Sequence, residues 1–517
     1  MFYKSPKLLF AILLGSLGMF SCTKKLDTNS ENPNGIGINA ITGKDVFAQA
    51  LVTTVTNNSG FSIVTATDNY DYAQNWMGYW ARNTSWAASG LQAQIENFQL
   101  PTSSSDGLWS SSYHNIYDYN YVISNSSDGS ILPGASRVVR TMIFQDLVDQ
   151  FGNIPYSQAA DPAITTPAYD QATAIYKDLI LQIDTAISSL EASQATADDA
   201  SDVMFNGNKN LWIQLANTIK LRIILRQVPN VYAPTDPFVT TELNGAIANG
   251  GFLGPGQDAV VNPGFQDITS QTQNPFWADY GFQPGGSPGP PQVGTFYQNY
   301  NFFCANVTFL DFLDSISDPR LGYFYGLNGV GGYGGNVLGV SSNLVANTSP
   351  IGTGLLQSAS MGAWLLTASQ SLFMQAEAAQ RGMITGNFAA LYKQAVEESF
   401  RYLKVPDFLN AADQYLAASS NGMVNIGTSA NPLQTILYQK WVSECGLNPL
   451  EAYSDYRRTG YPYFSFISGS VTPGTPMPVR LLYPQSEYTQ NLASLQASLG
   501  MSVQPASAIY EKIFWQP

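Results

Sequence analysis

Apolar side chains recur at three- and four-residue steps through much of this chain, and no other feature constrains its fold as strongly. The stretch AIYKDLILQIDTAISSL places seven of them at this spacing: Ile175, Tyr176, Leu179, Ile180, Ile183, Ile187 and Leu190. Because an α-helix turns 100° per residue, these side chains lie on one face of an amphipathic helix. Strict alternation of apolar and polar residues, which is typical of strands, is scarce. The sequence therefore predicts a mainly α fold with few, short strands.

Five further stretches share this helical spacing, and one long stretch, residues 231–350, does not. The helical spacing appears again in SRVVRTMIFQDLVDQF, NLWIQLANTIKLRIIL, WLLTASQSLFMQAEAAQRG, LYKQAVEESFRYL and TILYQKWVSECG. Residues 231–350 instead hold 30 of the chain's 73 glycines and prolines. Connections above about 15 residues without regular structure are rare within a domain unless they have a function. We therefore predict a loop-rich insertion at about 231–350 that carries a functional surface.

A second unusual stretch, DNYDYAQNWMGYWARNTSW at residues 68–86, holds six aromatic rings among small and amide side chains. Placed on a helix, the spacing forms a single stripe of Tyr72, Trp76, Tyr79 and Asn83, with Trp80 beside it. Stripes of this kind usually face the core. Rings beside amide groups are also typical of ligand sites. The stretch alone leaves both interpretations open.

The charge of the chain narrows the classes of ligand. Charged residues make up 12% of the sequence, about half the usual share. Asn, Gln, Ser and Thr are abundant, which predicts a neutral, hydrogen-bonding surface suited to polar neutral ligands. The formal net charge of −14 argues against a nucleic acid partner, which requires a basic patch. It also argues against binding to an acidic membrane surface.

The N-terminus predicts export. Lys4 and Lys7 precede a thirteen-residue apolar run from Leu8 to Phe20, which is too short to span a bilayer and is typical of a signal peptide over residues 1–21. Cys22 follows a small residue and resembles the lipidated cysteine of a bacterial lipobox; the alternative is an ordinary secreted protein with a stray cysteine. Residues 22–43 are polar and turn-rich, which predicts a tether. No later apolar run is long enough for a transmembrane helix, so we expect membrane attachment through lipid on Cys22 alone.

The reactive residue types do not assemble a catalytic or metal site in the sequence. His114 is the single histidine, and one imidazole without neighbouring ligands predicts neither a zinc site nor a triad. Asp68 and Asp71 form one of many possible carboxylate pairs among 37 acids, so a glycoside hydrolase is a weak hypothesis. Cys304 and Cys445 either pair or remain two buried thiols. We therefore expect a binding protein without cofactor or metal rather than an enzyme.

Six long segments resemble, in order, the signature segments of the SusD/RagB family of outer-membrane lipoproteins of Bacteroidota. They lie between residues 137 and 491 and read VRTMIFQDLVDQFGNIPYSQA, NGNKNLWIQLANTIKLRIILR, SDPRL, LFMQAEAAQRG, QKWVSECGLNPLEAYSDYRRTGYP and PVRLLYPQSEYTQN. The resemblance implies one SusD-like domain over residues 44–517. Its scaffold would consist of tetratricopeptide-like helix pairs, although the sequence shows no clean 34-residue repeat. A loop-rich part would bear the ligand site.

The resemblance also implies a role and a location. Members of this family capture nutrient oligomers at the cell surface and act as a lid on a SusC-like TonB-dependent transporter. Most such pairs import glycans, which makes oligosaccharide the expected ligand; some import peptides, which makes a RagB-like peptide-binding protein the alternative. We expect the protein in the outer membrane, lipid-anchored and facing the exterior.

The residues of the site are expected in two places. Glycan-binding relatives carry stacking rings near the first aromatic stretch and near the loop around Trp277. We therefore expect a ligand site from one set of residues in each place: Trp76, Tyr79, Trp80, Asn83 and Trp86, and Trp277, Tyr280 and Tyr297. Within the first set, Trp76 and Tyr79 are the better candidates for inward packing. The arginines of DYRRTGYP and the Glu377/Arg381 pair are expected to brace the scaffold.

Overall fold

The computed structural model describes residues 41–59, 71–288, 292–340, 345–465 and 467–517. Within it, Gly43–Pro517 forms one compact unit. The predicted signal peptide and Cys22 lie outside the described residues, as does almost all of the predicted tether. These assignments stay predictions.

Helices make up most of the regular structure, which confirms the mainly α fold. They are α1 (Gly43–Ser59), α2 (Asp71–Trp76), α3 (Gly90–Glu96), α4 (Asp106–Asn125), α5 (Leu132–Phe151), α6 (Ala172–Ala192), α7 (Lys209–Gln227), α8 (Pro237–Ala248), α9 (Pro275–Tyr280), α10 (Gln298–Phe302), α11 (Val307–Ser315), α12 (Leu321–Phe324), α13 (Ala368–Gln380), α14 (Phe388–Tyr402), α15 (Phe408–Ala418), α16 (Pro432–Glu444), α17 (Pro449–Thr459), α18 (Gln485–Gln490) and α19 (Leu492–Leu499).

The strands are short and form three antiparallel pairs. β1 (Trp80–Arg82) pairs with β5 (Phe303–Ala305), β2 (Ile154–Pro155) with β3 (Tyr169–Asp170), and β4 (Ala259–Val261) with β6 (Ala363–Leu366). The β1–β5 pair joins the first aromatic stretch to the end of a second aromatic stretch, residues 276–303; the paired residues Arg82 and Phe303 are more than 200 positions apart. It therefore fixes how the two predicted parts of the site meet.

The long helices follow from the apolar spacing and from local capping. In α6 every apolar residue of the predicted face is buried. In α7 the Asn208 side chain caps the first turn by accepting hydrogen bonds from the N–H groups of Asn210 and Leu211, as expected for an N-cap residue. The helix ends at Gln227, just before Pro229, which has no N–H to continue it.

Neighbouring long helices pack in pairs and form the scaffold. α4 packs on α1 and α5, and α6 packs on α5 and α7. A second group consists of α13 against α14 and α16, with α15 on α14 and α17 on α16. α13 also contacts α7, which joins the two groups. This arrangement agrees with the expected tetratricopeptide-like helix pairs.

Buried ion pairs connect the second group of helices. Arg458 on α17 donates to Glu377 on α13 at 2.6 Å, and Arg381 reaches the same carboxylate at 2.8 Å. The predicted bracing role of Glu377, Arg381 and Arg458 is therefore seen directly. Arg457 instead donates to the backbone carbonyl of Val479 at 2.9 Å, which ties α17 to the C-terminal segment.

The described residues of the stretch 231–350 form short helices, α8 to α12, and the strands β4 and β5, with long connections between them. It packs beside the first aromatic stretch through β5 and α9. The candidate site is built from this part of the molecule.

Candidate functional site

The first aromatic stretch is not a continuous helix, so the predicted stripe from Tyr72 to Asn83 is wrong. α2 ends at Trp76 because Gly78 adopts a positive φ of 73°, a conformation that ends a helix and suits glycine. The chain then enters β1, where Trp80 lies opposite Ala305 of β5. The rings after Trp76 therefore point in directions set by a turn and a strand.

Three of the site candidates in this stretch lie in the core. Trp76, Tyr79 and Trp80 have no exposed surface. The Trp76 indole donates to the Ile95 carbonyl at 3.1 Å, and the Tyr79 hydroxyl donates to the Trp441 carbonyl at 2.6 Å. A ring without exposed surface cannot stack on a ligand, so this burial argues against the contact role expected for these three residues.

The second aromatic stretch meets the first one, but the contact is internal. Asn274 caps α9 by accepting from the Trp277 N–H at 3.0 Å. The Tyr280 ring on this helix lies 5.0 Å from the Trp80 ring, and its hydroxyl donates to Asp71 at 2.6 Å. Tyr280 is only 2% exposed. The expected juxtaposition of the two stretches is present, and it forms core rather than surface.

Two members of the expected site lie at the edge of this core. Asn83 is buried, and its side-chain oxygen accepts from the Ser85 N–H at 3.2 Å. Trp86 is half-buried; its indole donates to the Asn301 carbonyl at 3.2 Å, and its ring lies 5.7 Å from Phe302. Trp86 therefore braces α10 while keeping part of its ring accessible.

Residues 281–288 and 292–297 lie alongside each other as two antiparallel sides, which together we call the arm. Its sides are joined by hydrogen bonds from Gln283 N–H to the Thr295 carbonyl and from Ser287 N–H to the Val293 carbonyl, each 2.8 Å long. At the crossing point Gly294 has a φ of 79°, and a Cβ there would lie 2.8 Å from the Gly286 Cα. Only glycine fits this close approach.

A cleft of about 440 Å³ lies between the arm and a segment at residues 353–360. Trp277 is one of its lining residues but is only 3% exposed, so little of this residue is accessible from the cleft. Hydroxyl, amide and carboxylate groups supply most of the remaining polar surface. The lining residues are Asp267, Trp277, Gly286, Ser287, Pro288, Thr353, Leu356, Gln357, Ser358, Ala359 and Ser360.

A hydrogen-bond chain connects Tyr297 to this cleft. The Tyr297 hydroxyl donates to the side-chain oxygen Oε1 of Gln273 at 2.8 Å. The side-chain Nε2 of Gln273 in turn donates to Asp267 at 2.6 Å. The other Asp267 oxygen accepts from the Gly285 N–H at 2.9 Å. Burial raises the pKa of the Tyr297 hydroxyl, and the carboxylates of Asp267 and Asp279 raise it further. Tyr297 is therefore a neutral hydrogen-bonding group beside an acidic one.

Of the eleven described residues that line this cleft, only Trp277 is expected from sequence. Asp267 and the segment TGLLQSAS at residues 353–360 carry no periodicity or motif that indicates a ligand site. The segment enters the site because its Gln357 amide donates to the backbone carbonyls of Gly354 and Tyr402, which holds it against α14. Its only sequence signal is a run of small and hydroxyl-bearing residues.

A larger groove, of about 540 Å³, lies elsewhere, between residues 315–319 and 411–421. Small side chains line most of it, and its one ring, Tyr415, is 7% exposed with its hydroxyl donating to Asp318. It has no carboxylate among its lining residues, whereas Asp267 supplies one in the cleft beside the arm. We regard the cleft beside the arm as the better candidate site.

The remaining reactive groups contribute no further chemistry. Cys304 and Cys445 are both buried free thiols, which resolves the alternative left open by the sequence. Burial raises the pKa of Cys304 to about 12. The described parts of the chain contain no group of three or more His, Cys, Asp or Glu that could hold a metal ion. In the same parts no helix has the length and apolar character needed to cross a membrane.

Solved structures with the same fold come from several Bacteroidota. A Bacteroides vulgatus protein assigned to the outer membrane is 22% identical, with a TM-score of 0.72 over 92% of this chain and 100% of that chain. A SusD homologue from Bacteroides fragilis is 19% identical, with a TM-score of 0.70 over 92% and 99%. A chitin-binding SusD homologue from Flavobacterium johnsoniae is 20% identical, with a TM-score of 0.68 over 91% and 98%.

Sequence comparison gives the family. No curated protein matches the chain. The model of the SusD-like family, described as starch-binding and associating with the outer membrane, matches residues 38–484. This match covers most of the chain and contains both the helical scaffold and the cleft beside the arm. The protein is therefore a member of the SusD-like family.

Proposed function

We propose that this protein captures oligosaccharides at the cell surface and delivers them, as a lid, to a SusC-like TonB-dependent transporter. Lipid on Cys22 would hold it in the outer membrane. Membership of a glycan-binding, outer-membrane family supports the general role. The transporter partner, the lid action and the anchor are our inferences from that membership.

The observation that carries the proposal is the cleft beside the arm. Sugars present hydroxyl groups and apolar C–H faces, and proteins bind them with a few placed polar groups next to an aromatic surface. The cleft offers Asp267, Ser287, Gln357 and Ser360 beside Trp277. Starch and chitin oligosaccharides are the first ligands to test, because the family description names starch and the Flavobacterium johnsoniae relative binds chitin.

Binding without catalysis fits the charges in the cleft. Glycoside hydrolases use two carboxyl groups on opposite sides of the scissile bond. Among the described residues that line the cleft, Asp267 alone carries a carboxylate. We infer that the cleft holds an oligosaccharide and leaves its bonds intact.

The proposal assigns different roles to the residues expected from sequence. Tyr297 and Trp277 would touch ligand, together with Asp267 and Gln357. Five others would shape the core and edge beneath the site: Trp76, Tyr79, Trp80, Asn83 and Tyr280. Trp86 would position α10 and offer an accessory ring surface.

A glycan array followed by calorimetry tests this proposal. Ser360→Trp should fill the cleft and weaken binding at least tenfold, because the exposed Ser360 side chain lies on its wall. Ser420→Trp is the matched control, since exposed Ser420 lies in the larger groove. Loss of affinity in the control alone would move the site to that groove. Binding to a peptide library and to no glycan would favour the peptide-binding alternative.

A further inference from the structure

We infer that the cleft beside the arm selects its ligand by charge: it accepts neutral and amino-bearing oligosaccharides and rejects sulfated or uronic acid ones. This inference rests on the proposed function, because it names the class of glycan that the same cleft takes. It goes beyond that function by predicting which glycans fail to bind.

The first observation is the absence of cations from the part of the chain that builds the cleft. Residues 227–319 and 321–380 contain no Lys, Arg or His. Arg320 is the one cation between them, and it is fully buried and paired with Asp318 at 2.6 Å. Every lining residue of the cleft lies within this part of the chain.

The second observation is that the charge of Asp267 has no cationic partner. Its two carboxylate oxygens accept hydrogen bonds from the Gln273 amide and the Gly285 N–H. Both donors are neutral, and among the described residues Asp267 forms no ion pair. The Asp279 carboxylate lies close enough to raise the pKa of Tyr297 together with Asp267. This end of the cleft therefore has a negative potential.

The basic residues on either side of Tyr402, whose carbonyl bonds to the cleft segment, do not line the cleft. Arg401 precedes Tyr402, whose carbonyl accepts from Gln357, but its guanidinium pairs with Asp258 and with Glu398. Lys404 follows two residues later and is exposed, and it is not among the lining residues. A sulfate or carboxylate group in the cleft would therefore face Asp267 without a cation to stabilise it.

The chemistry of the ligand follows from this arrangement. Asp267 is exposed at the cleft, so water partly screens its charge, but the charge still acts on ligand groups within the Debye length. An anionic sugar is repelled there, whereas a neutral sugar uses Asp267 as a hydrogen-bond acceptor. A protonated amine donates to the same carboxylate in a charge-assisted hydrogen bond, which is shorter and stronger than a neutral one. Amino sugars should therefore bind most tightly.

Three hexasaccharides of one backbone test the inference by calorimetry: the N-acetylglucosamine hexamer, its fully deacetylated form and its sulfated form. At mildly acidic pH and low ionic strength we expect the deacetylated form to bind about 3- to 10-fold more tightly than the neutral form. The sulfated form should bind at least about tenfold more weakly. Both differences should shrink in high salt, because salt screens accessible charges.

Four variants separate selection by charge from selection by shape. Asp267→Asn should remove the preference for the deacetylated form, so that the ratio of its affinity to that of the neutral form approaches one. Ser360→Lys should restore binding of the sulfated form, whereas Ser420→Lys in the larger groove should not. Lys404→Gln should change nothing.

Each outcome decides between the two proposals. If the sulfated form binds the native protein as tightly as the neutral form, or if Asp267→Asn keeps the preference, charge selection is wrong while glycan binding stands. If none of the three hexasaccharides binds and the protein binds no glycan on the array, the proposed function is wrong and the charge inference is wrong with it.

Discussion

At the scale of single residues, burial separates the aromatic side chains into two classes. Trp76 is enclosed, with its indole bonded to a backbone carbonyl and its ring 5.0 Å from that of Tyr72. Trp86 lies ten residues later in the same sequence stretch and keeps part of its ring exposed. Both are tryptophans in the same aromatic stretch, so the sequence does not distinguish them. Their contacts in the folded protein place Trp76 in the core and Trp86 at its edge.

Replacing these two tryptophans should therefore have unequal effects on stability. Trp76→Ala should lower the free energy of unfolding by about 3–5 kcal/mol, since it leaves a cavity in the core. Trp86→Ala should cost less than about 2 kcal/mol, because its ring is partly solvated in the native state. Urea unfolding followed by circular dichroism measures both. Equal losses in the two variants would contradict the assignment.

At the scale of elements, the arm depends on one backbone conformation. Gly294→Ala adds a Cβ 2.8 Å from the Gly286 Cα at a φ of 79°, which should strain the arm by about 1 kcal/mol or more. Oligosaccharide affinity should fall severalfold while the thermal midpoint of the scaffold changes little.

The matched control for the arm is Gly245→Ala in α8. That position is helical, and no atom lies within 4 Å of an added Cβ. Alanine should stabilise the helix by up to about 1 kcal/mol. If both glycine variants lose the same affinity, the arm has no special role in binding.

The ion pair between α13 and α17 predicts a defined dependence of stability on pH. Burial alone would raise the pKa of Glu377, but Arg458 and Arg381 outweigh it and lower the pKa to about 2. Ionised Glu377 therefore stabilises the fold above its unfolded pKa of about 4.3, and this contribution is lost as pH falls from there towards 2.

Glu377→Gln should abolish that part of the acid sensitivity. At neutral pH the variant should lose about 3–5 kcal/mol, because Arg458 stays buried without its partner. Its unfolding free energy should then vary less than that of the native protein below about pH 4.3. Glu397→Gln, which removes an exposed pair with Lys393, should cost no more than about 1 kcal/mol. Urea titrations across this pH range make the comparison.

The elements show why the sequence predicts the scaffold better than the site. The face of α6 is defined within 21 residues, so its spacing alone predicts the helix and its burial. The predicted helix through Trp80 is wrong because Gly78 turns the chain after α2. Residues 80–82 then pair as a strand with β5, which lies more than 200 residues later in the chain. The cleft likewise brings Asp267 together with residues 353–360, which are far from it in sequence. The spacing of residues within a short segment cannot predict a contact between segments so far apart.

At the scale of the whole molecule, the proposed function requires a lipid anchor on Cys22 and a transporter partner. We expect cells fed an alkyne fatty acid to label the native protein, and a Cys22→Ala variant to lose the label and appear in the soluble fraction. Label retained in the variant would contradict the anchor. Mild detergent extraction of the native protein should recover a TonB-dependent transporter with it, whereas purification as a lone chain would count against the partner.

Because Cys304 and Cys445 are buried, a cysteine introduced on the arm can be labelled selectively for spectroscopy. Burial raises the pKa of Cys304 to about 12 and that of Cys445 well above its usual value, so neither reacts readily with maleimide reagents while the protein is folded. A chain that starts after Cys22 and carries Thr295→Cys would then present a single reactive thiol, on the exposed side of the arm. A fluorophore at that position would report, in real time and without further cysteine removal, how the arm moves when an oligosaccharide arrives.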